Sequence, residues 1–215
     1  MNVLVAGANG HTGRLVLHYL KEKGHVPLAL IRDEKQKDAL EKIGAIPVIG
    51  DLEKDVTNAV KQADVIIFAA GSGSKTGPDK TISVDQEGAK RLIDTAKNEN
   101  IQHFVMLSAY NADDPEQGKG QGNMEIYYQA KKNADTHLKH SGLSHTIVRP
   151  AALLHDRKTG KIEVAEHLPN DRQLEVTRED VAIVLVASLT EPNVKNKTFD
   201  MINGETPIAE ALRTL

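Results

Sequence analysis

The chain has 215 residues, 40% hydrophobic and 27% charged, with a formal net charge of −3; that is the balance of a globule with room for one well-buried core and little more. Such a charge gives no basic surface for nucleic acid or anionic lipid, and no apolar run approaches the length of a membrane span. The absence of cysteine excludes disulfides, thiolate metal sites and a cysteine nucleophile, and leads us to expect a cytoplasmic protein.

The first stretch, NVLVAGANGHTGR, is the most informative. Val3, Leu4 and Val5 predict a buried parallel strand with no cationic leader before it. Gly7, Gly10 and Gly13 follow at G-x-x-G-x-x-G, and then Leu15, Val16, Tyr19 and Leu20 share one helical face. In a strand–turn–helix context, such glycines predict a dinucleotide site. The first helical turn offers free N–H groups and the positive end of the helix dipole, and glycine lets a diphosphate approach bare backbone. The expected lining is Gly7, Asn9, Gly10, His11, Thr12 and Gly13.

Gly24 stops the first helix. Strands are expected at 26–31, 45–49, 64–70, 103–107 and 144–148, with helices at 34–43, 56–62, 82–98 and 125–140 between them. On the last helix the stripe is Ile126, Ala130, Ala134 and Leu138. Gly71 to Ser74 and the polar segment 111–123 read as loops. Beyond Pro150 the alternation breaks. Residues 151–176 read as loop with a short strand pair, Thr177 with Asp180 resembles a capping box for a helix to Leu189, and a strand at 197–202 and a helix at 208–215 follow. Alternating strands and helices predict an α/β fold: a Rossmann-type, doubly wound parallel sheet of about seven strands with helices on both faces. The expectation is a single domain over 1–215, with 151–215 a small extension on the substrate side.

In such sheets ligands gather at the carboxyl ends of the strands. Arg32 follows the second strand, where an arginine accepts the 2′-phosphate of NADP(H), its planar fork matching phosphate geometry. Asp33 beside it would bind a ribose and favour NAD(H), and we expect NADP(H) ahead of NAD(H), with Arg14 as a helper. Tyr127 and Lys131 stand four apart on a helix, as do Tyr128 and Lys132. An ammonium beside a phenol favours the phenolate, so either pair could shuttle a proton to a carbonyl or alcohol. Ser108, ending the fifth strand, could bond the same oxygen. His137 and His140 have a ligand-like spacing but no third partner, and no metal site is expected.

Taken together, GANGHTGR at 7–14, GDLE at 50–53, VIIFAAGSGSKTG at 65–77, FVMLSA at 104–109, YYQAKKNADTHLKHSGLSHTIVRP at 127–150 and TREDVA at 177–182 resemble the atypical short-chain dehydrogenase/reductases. This is the NAD(P)H-binding group also called NAD-dependent epimerase/dehydratase-like, and the resemblance spans nearly the whole chain. It implies a glycine loop at Gly7, Gly10 and Gly13, a 2′-phosphate arginine at Arg32, an adenine-contacting pair at Asp51 and Leu52, and a cofactor-lining strand end at Ala69, Ala70 and Gly71. It implies Tyr127 rather than Tyr128 as the acid/base, Lys131 as its partner and a ribose ligand, and Ser108 as the upstream serine. Most catalytic members carry asparagine in the helix after strand four. This chain has Asp85, and an ionised carboxylate only accepts hydrogen bonds. The implied activity is an NADP(H)-dependent oxidoreductase acting on a small carbonyl or flavin-like substrate. A non-catalytic NADP(H)-binding sensor and a nucleotide-sugar epimerase or dehydratase are the alternatives.

Overall fold

The structure, a computed structural model, describes residues 1–73, 76–170 and 174–215. Ser74, read above as part of a loop, lies outside the described residues. A nine-stranded sheet forms the centre, in the order β11-β8-β10-β6-β5-β4-β1-β2-β3. Its strands are β1 (Asn2–Ala6), β2 (Val26–Ile31), β3 (Ile46–Ile49), β4 (Val65–Phe68), β5 (His103–Leu107), β6 (His145–Pro150), β8 (Lys161–Ala165), β10 (Lys197–Asn203) and β11 (Thr206–Pro207). From β3 to β10 all neighbours are parallel, while β8 runs antiparallel to β10 and β11. The parallel set matches the seven expected strands. Of the two additional members, β8 comes from the region expected to be mostly loop, where Ile162 is buried as β8 pairs with Ile202 and its neighbours, and β11 from the short stretch between the expected last strand and last helix. A separate parallel pair joins β7 (Ala152–Leu154) to β9 (Glu175–Thr177).

Helices cover both faces. One face carries α1 (His11–Glu22), α2 (Lys37–Glu41), α7 (Arg178–Ala187) and α8 (Ile208–Arg213), packed on Val3, Val5, Ile67 and Val105. The other carries α3 (Thr57–Val60), α5 (Ala89–Asn98) and α6 (Met124–His140), packed on Leu4, Ile66, Phe104 and Met106. Alternate residues of each strand thus feed two separate aliphatic cores, which is why the strands read as unbroken apolar runs.

Three elements differ from expectation. The helix after β2 is short, a 3-10 turn at Glu34–Gln36 followed by α2. The helix after β4 begins earlier, with α4 (Pro78–Lys80) running into a π-helical segment at Thr81–Gly88 and then α5. Ile126 is 38% exposed, so the α6 stripe buries Ala130, Ala134 and Leu138 but not its first member. Thr177 does cap α7, its hydroxyl accepting from the Asp180 N–H at 3.0 Å. The Asp180 carboxylate accepts the Thr177 hydroxyl in return and also the backbone N–H groups of Thr159 and Gly160, tying down the turn before β8.

Candidate active site

The turn after β1 is shaped by what its glycines lack. Gly7 has φ +83°, and a Cβ there would stand 2.5 Å from the Ala69 carbonyl and the Ala70 backbone. At Gly13 a Cβ would lie 2.1 Å from the Gly7 carbonyl. The turn is therefore pressed against β4 on one side and the helix against the turn on the other. No side chain caps α1 at Gly10, so its first N–H groups face the cleft, the arrangement that binds phosphate. This cradle fits a dinucleotide's diphosphate.

From here two cavities diverge. One of about 360 Å³ runs along the ends of β1, β2 and β3 and is lined by Gly7, Asn9, Gly10, Arg32, Asp51, Leu52 and Lys80, among others. It is the expected adenosine end. Arg32 lines it, whereas the Asp33 carboxylate accepts from the Lys35 N–H at 2.9 Å and caps the 3-10 turn. Arg14 does not line the cavity, and its guanidinium holds the lining residue Asn9, through the side-chain oxygen at 2.5 Å and the carbonyl at 3.2 Å. Lys80 is held by both carboxylate oxygens of Glu53 at 2.8 Å. Asp51 accepts from the Glu53 N–H at 3.0 Å, and the Leu52 carbonyl accepts from Arg91.

The other cavity, about 630 Å³, brings together His11, Thr12, Ala69, Ala70 and Gly71 with Asp85, Ser108, Tyr127 and Lys131. Every predicted residue of the nicotinamide and catalytic side lines it. The alternative pair does not: Lys132 donates to the Asp113 carbonyl at 3.0 Å, and Tyr128 faces a smaller adjoining cavity of about 410 Å³ that shares Ser108 and Tyr127. That smaller space, bounded also by Tyr110, Met124, Leu153 and Leu174, opens directly off the serine and tyrosine.

Inside the larger cavity the charges are closely paired. Lys131 and Asp85 are buried and 3.3 Å apart, and the other Asp85 oxygen accepts from the Ser72 N–H at 2.8 Å. Burial pulls the Lys131 pKa down, but the Asp85, Tyr127 and Asp135 charges outweigh it and the net shift is upward. Asp85 sits in the π-helical segment, a distortion often found at functional sites. Tyr127 departs from the sequence-based expectation. Burial raises its pKa, the nearby Lys131 only partly opposes this, and Asp85 adds to the rise. The phenol therefore keeps its proton at neutral pH, with burial the largest cause and the Asp85 charge a smaller one.

Sequence reasoning passed over the residues behind this cavity. Ser108 donates to Asp135 at 2.8 Å, and the same carboxylate oxygen accepts from Arg149 Nε at 3.0 Å. Arg149 also faces Asp113 of the 111–123 segment at 3.5 Å, which in turn meets His167 at 3.3 Å. Asp200 lies nearby. Burial raises its carboxyl to about 6, against the Leu168 N–H and Arg149, which lower it. One signal was available: Asp135 follows Lys131 by four residues on the same helical face. His137, by contrast, pairs with Asp94 at 2.6 Å on the surface.

Comparisons with known proteins agree with this geometry. The family model described as NAD(P)H-binding matches residues 7–192. YhfK of Bacillus subtilis, which carries the name uncharacterized sugar epimerase, is 42% identical over the full length of both chains. A solved structure from Bacillus halodurans, named after the NAD-dependent epimerase/dehydratases, is 42% identical, covers both chains completely and has a TM-score of 0.95. Sanguinarine reductase of Eschscholzia californica is 29% identical over 99% of this chain and 93% of its own. No helix among the described residues is long and apolar enough to cross a membrane. A glycine cradle pressed on β4, a cleft running to both sides of it and a match over most of the sequence have one reading: the chain belongs to the NAD(P)H-binding family and holds a nicotinamide dinucleotide.

Proposed function

We propose that the protein is an NADP(H)-dependent oxidoreductase that passes a hydride between the nicotinamide and a small carbonyl or flavin-like acceptor. The observation that carries this reading is the single cavity that Ser108, Tyr127 and Lys131 share with the glycine turn. The bound cofactor supplies a hydride equivalent at its nicotinamide ring. Gly7, Gly10 and the start of α1 bind the diphosphate, with Gly13 packing the helix against the turn, and Asp51 and Leu52 border the adenine. Arg32 forks the 2′-phosphate, and the engagement of Asp33 as a cap supports NADP(H) over NAD(H). Lys131 orients the nicotinamide ribose. Tyr127 gives the acceptor its proton, and Ser108 lines the same cavity and faces the acceptor beside it. The name of sanguinarine reductase supports a reductive direction.

A second reading, cofactor binding without turnover, is favoured by the closed Lys131–Asp85 pair. One assay separates them. NADPH oxidation is followed with a panel of quinones and free flavins for the wild type and Tyr127→Phe. Turnover that falls at least tenfold in the variant supports catalysis, whereas consumption of NADPH by no acceptor favours the sensor. In the same preparation Arg32→Ala should weaken NADPH binding by about 10- to 100-fold, the value of a lost charge-assisted contact, and leave NADH binding unchanged. Equal losses for both cofactors would reject the assignment of Arg32.

A further inference from the structure

We infer that Asp135 is a positioning residue of the acceptor site: anchored by Arg149, it takes the Ser108 hydrogen and presents the serine oxygen to the cavity as a hydrogen-bond acceptor. The inference rests on the oxidoreductase reading of that cavity. Tyr127, Lys131 and Asp135 follow one another at steps of four on α6. The first two line the cavity, while Asp135 lies a turn deeper, 1% exposed. Its Oδ2 accepts from Ser108 at 2.8 Å and from Arg149 Nε at 3.0 Å.

A hydroxyl has one hydrogen and two acceptor positions. With the hydrogen on Asp135, Ser108 turns only lone pairs toward the ligand. Rotating that hydrogen outward would cost the carboxylate one of its bonds, and its Oδ1 already has no hydrogen-bond partner among the described residues. Burial raises the Asp135 pKa, and Arg149 and the Ser108 hydroxyl oppose that rise, so the carboxylate gives up the serine bond at considerable cost. The Arg149 guanidinium, 4% exposed, holds the carboxylate in place from β6. Charge neutralisation of Arg149 alone would not require the cavity's serine to join the pair.

The chemical consequence concerns the substrate. A bare carbonyl facing Ser108 would set two acceptors against each other. An acceptor molecule with an O–H or N–H beside its reducible centre completes the bond, while Tyr127 serves the atom that gains the proton. The site thus selects conjugated carbonyl or ring acceptors that carry an adjacent donor.

The test has two arms, both on the NADP⁺-loaded protein. Proton NMR should show a slowly exchanging Ser108 hydroxyl resonance in the wild type, lost in Ser108→Ala and moved upfield in Asp135→Asn. Its absence from the wild type overturns the role of Asp135, and this reading needs no variant to fold. Lumiflavin, which has a ring N–H, is then compared with 3-methyllumiflavin, which lacks it. Methylation should weaken binding about tenfold in the wild type and make no difference in Ser108→Ala. Equal binding of the two probes to the wild type overturns the donor requirement. Failure of both probes to bind, with the hydroxyl resonance present, counts against the flavin-like acceptor and leaves Asp135 in its role.

Discussion

The two ends of the cleft are built from different materials. The phosphate end is backbone: a left-handed Gly7, a bare Gly10 and a helix start, with the absent side chains as the operative feature. The acceptor end is side chain: Asp85, Lys131, Asp135 and Arg149, all buried and each compensated by another. A backbone site is contiguous in sequence and tolerates few residues at its key positions. A side-chain site draws on the π segment, β5, α6 and β6, and its stability depends on charges staying matched.

That contrast can be broken most sharply at Asp85. Asp85→Ala would leave the Lys131 ammonium buried without its carboxylate and should destabilise the fold by about 3–5 kcal/mol, read by urea denaturation. A loss below about 1 kcal/mol would mean that the pair is not a matched unit. At the other end, Gly7→Ala combines an unfavourable φ with a Cβ inside the Ala69–Ala70 backbone. It should cost about 2–4 kcal/mol and abolish NADPH binding by calorimetry. Retained binding would show that the cradle yields where the geometry says it cannot.

Asp200 sharpens the comparison through pH. Its folded value of about 6 lies above the model-peptide 3.8, so between these values the folded state holds more proton than the unfolded state. Its contribution to stability is therefore present below about pH 4 and lost as pH rises through about 6. Asp200→Asn keeps a carbonyl for the Leu168 N–H but cannot ionise. The variant should gain on the wild type by roughly 2–3 kcal/mol between pH 4 and pH 7, measured as the difference in unfolding free energy at each pH. A constant difference across that range would remove Asp200 from the buried charge cluster.

Legibility in the sequence followed the same division. The glycine turn, Arg32 and the strands β1 to β6 announce themselves by spacing and by apolar runs, since each depends on neighbours in the chain. Tyr127, Lys131 and Ser108 were legible as a set only through resemblance, because spacing alone left Tyr128 and Lys132 equally good. Asp135 and Arg149 were not singled out. Arg149 is the lone charged residue of a buried strand and Asp135 one charge among several on α6, and the reason for each is a partner on another element. The same holds for β8, whose pairing with β10 links residues 162–165 to 200–203, a long-range contact that local pattern does not carry. The π segment went unread because Thr81–Gly88 has no sequence signature distinct from an ordinary helix.

Because the Gly7 turn rests on the main chain of Ala69 and Ala70, the glycine motif is not self-sufficient. During synthesis the motif is made before its wall, which is translated some sixty residues later. A nascent chain that ends before β4 would display the signature without being able to take up the coenzyme, and capture of the coenzyme would mark the moment at which the middle of the sheet closes.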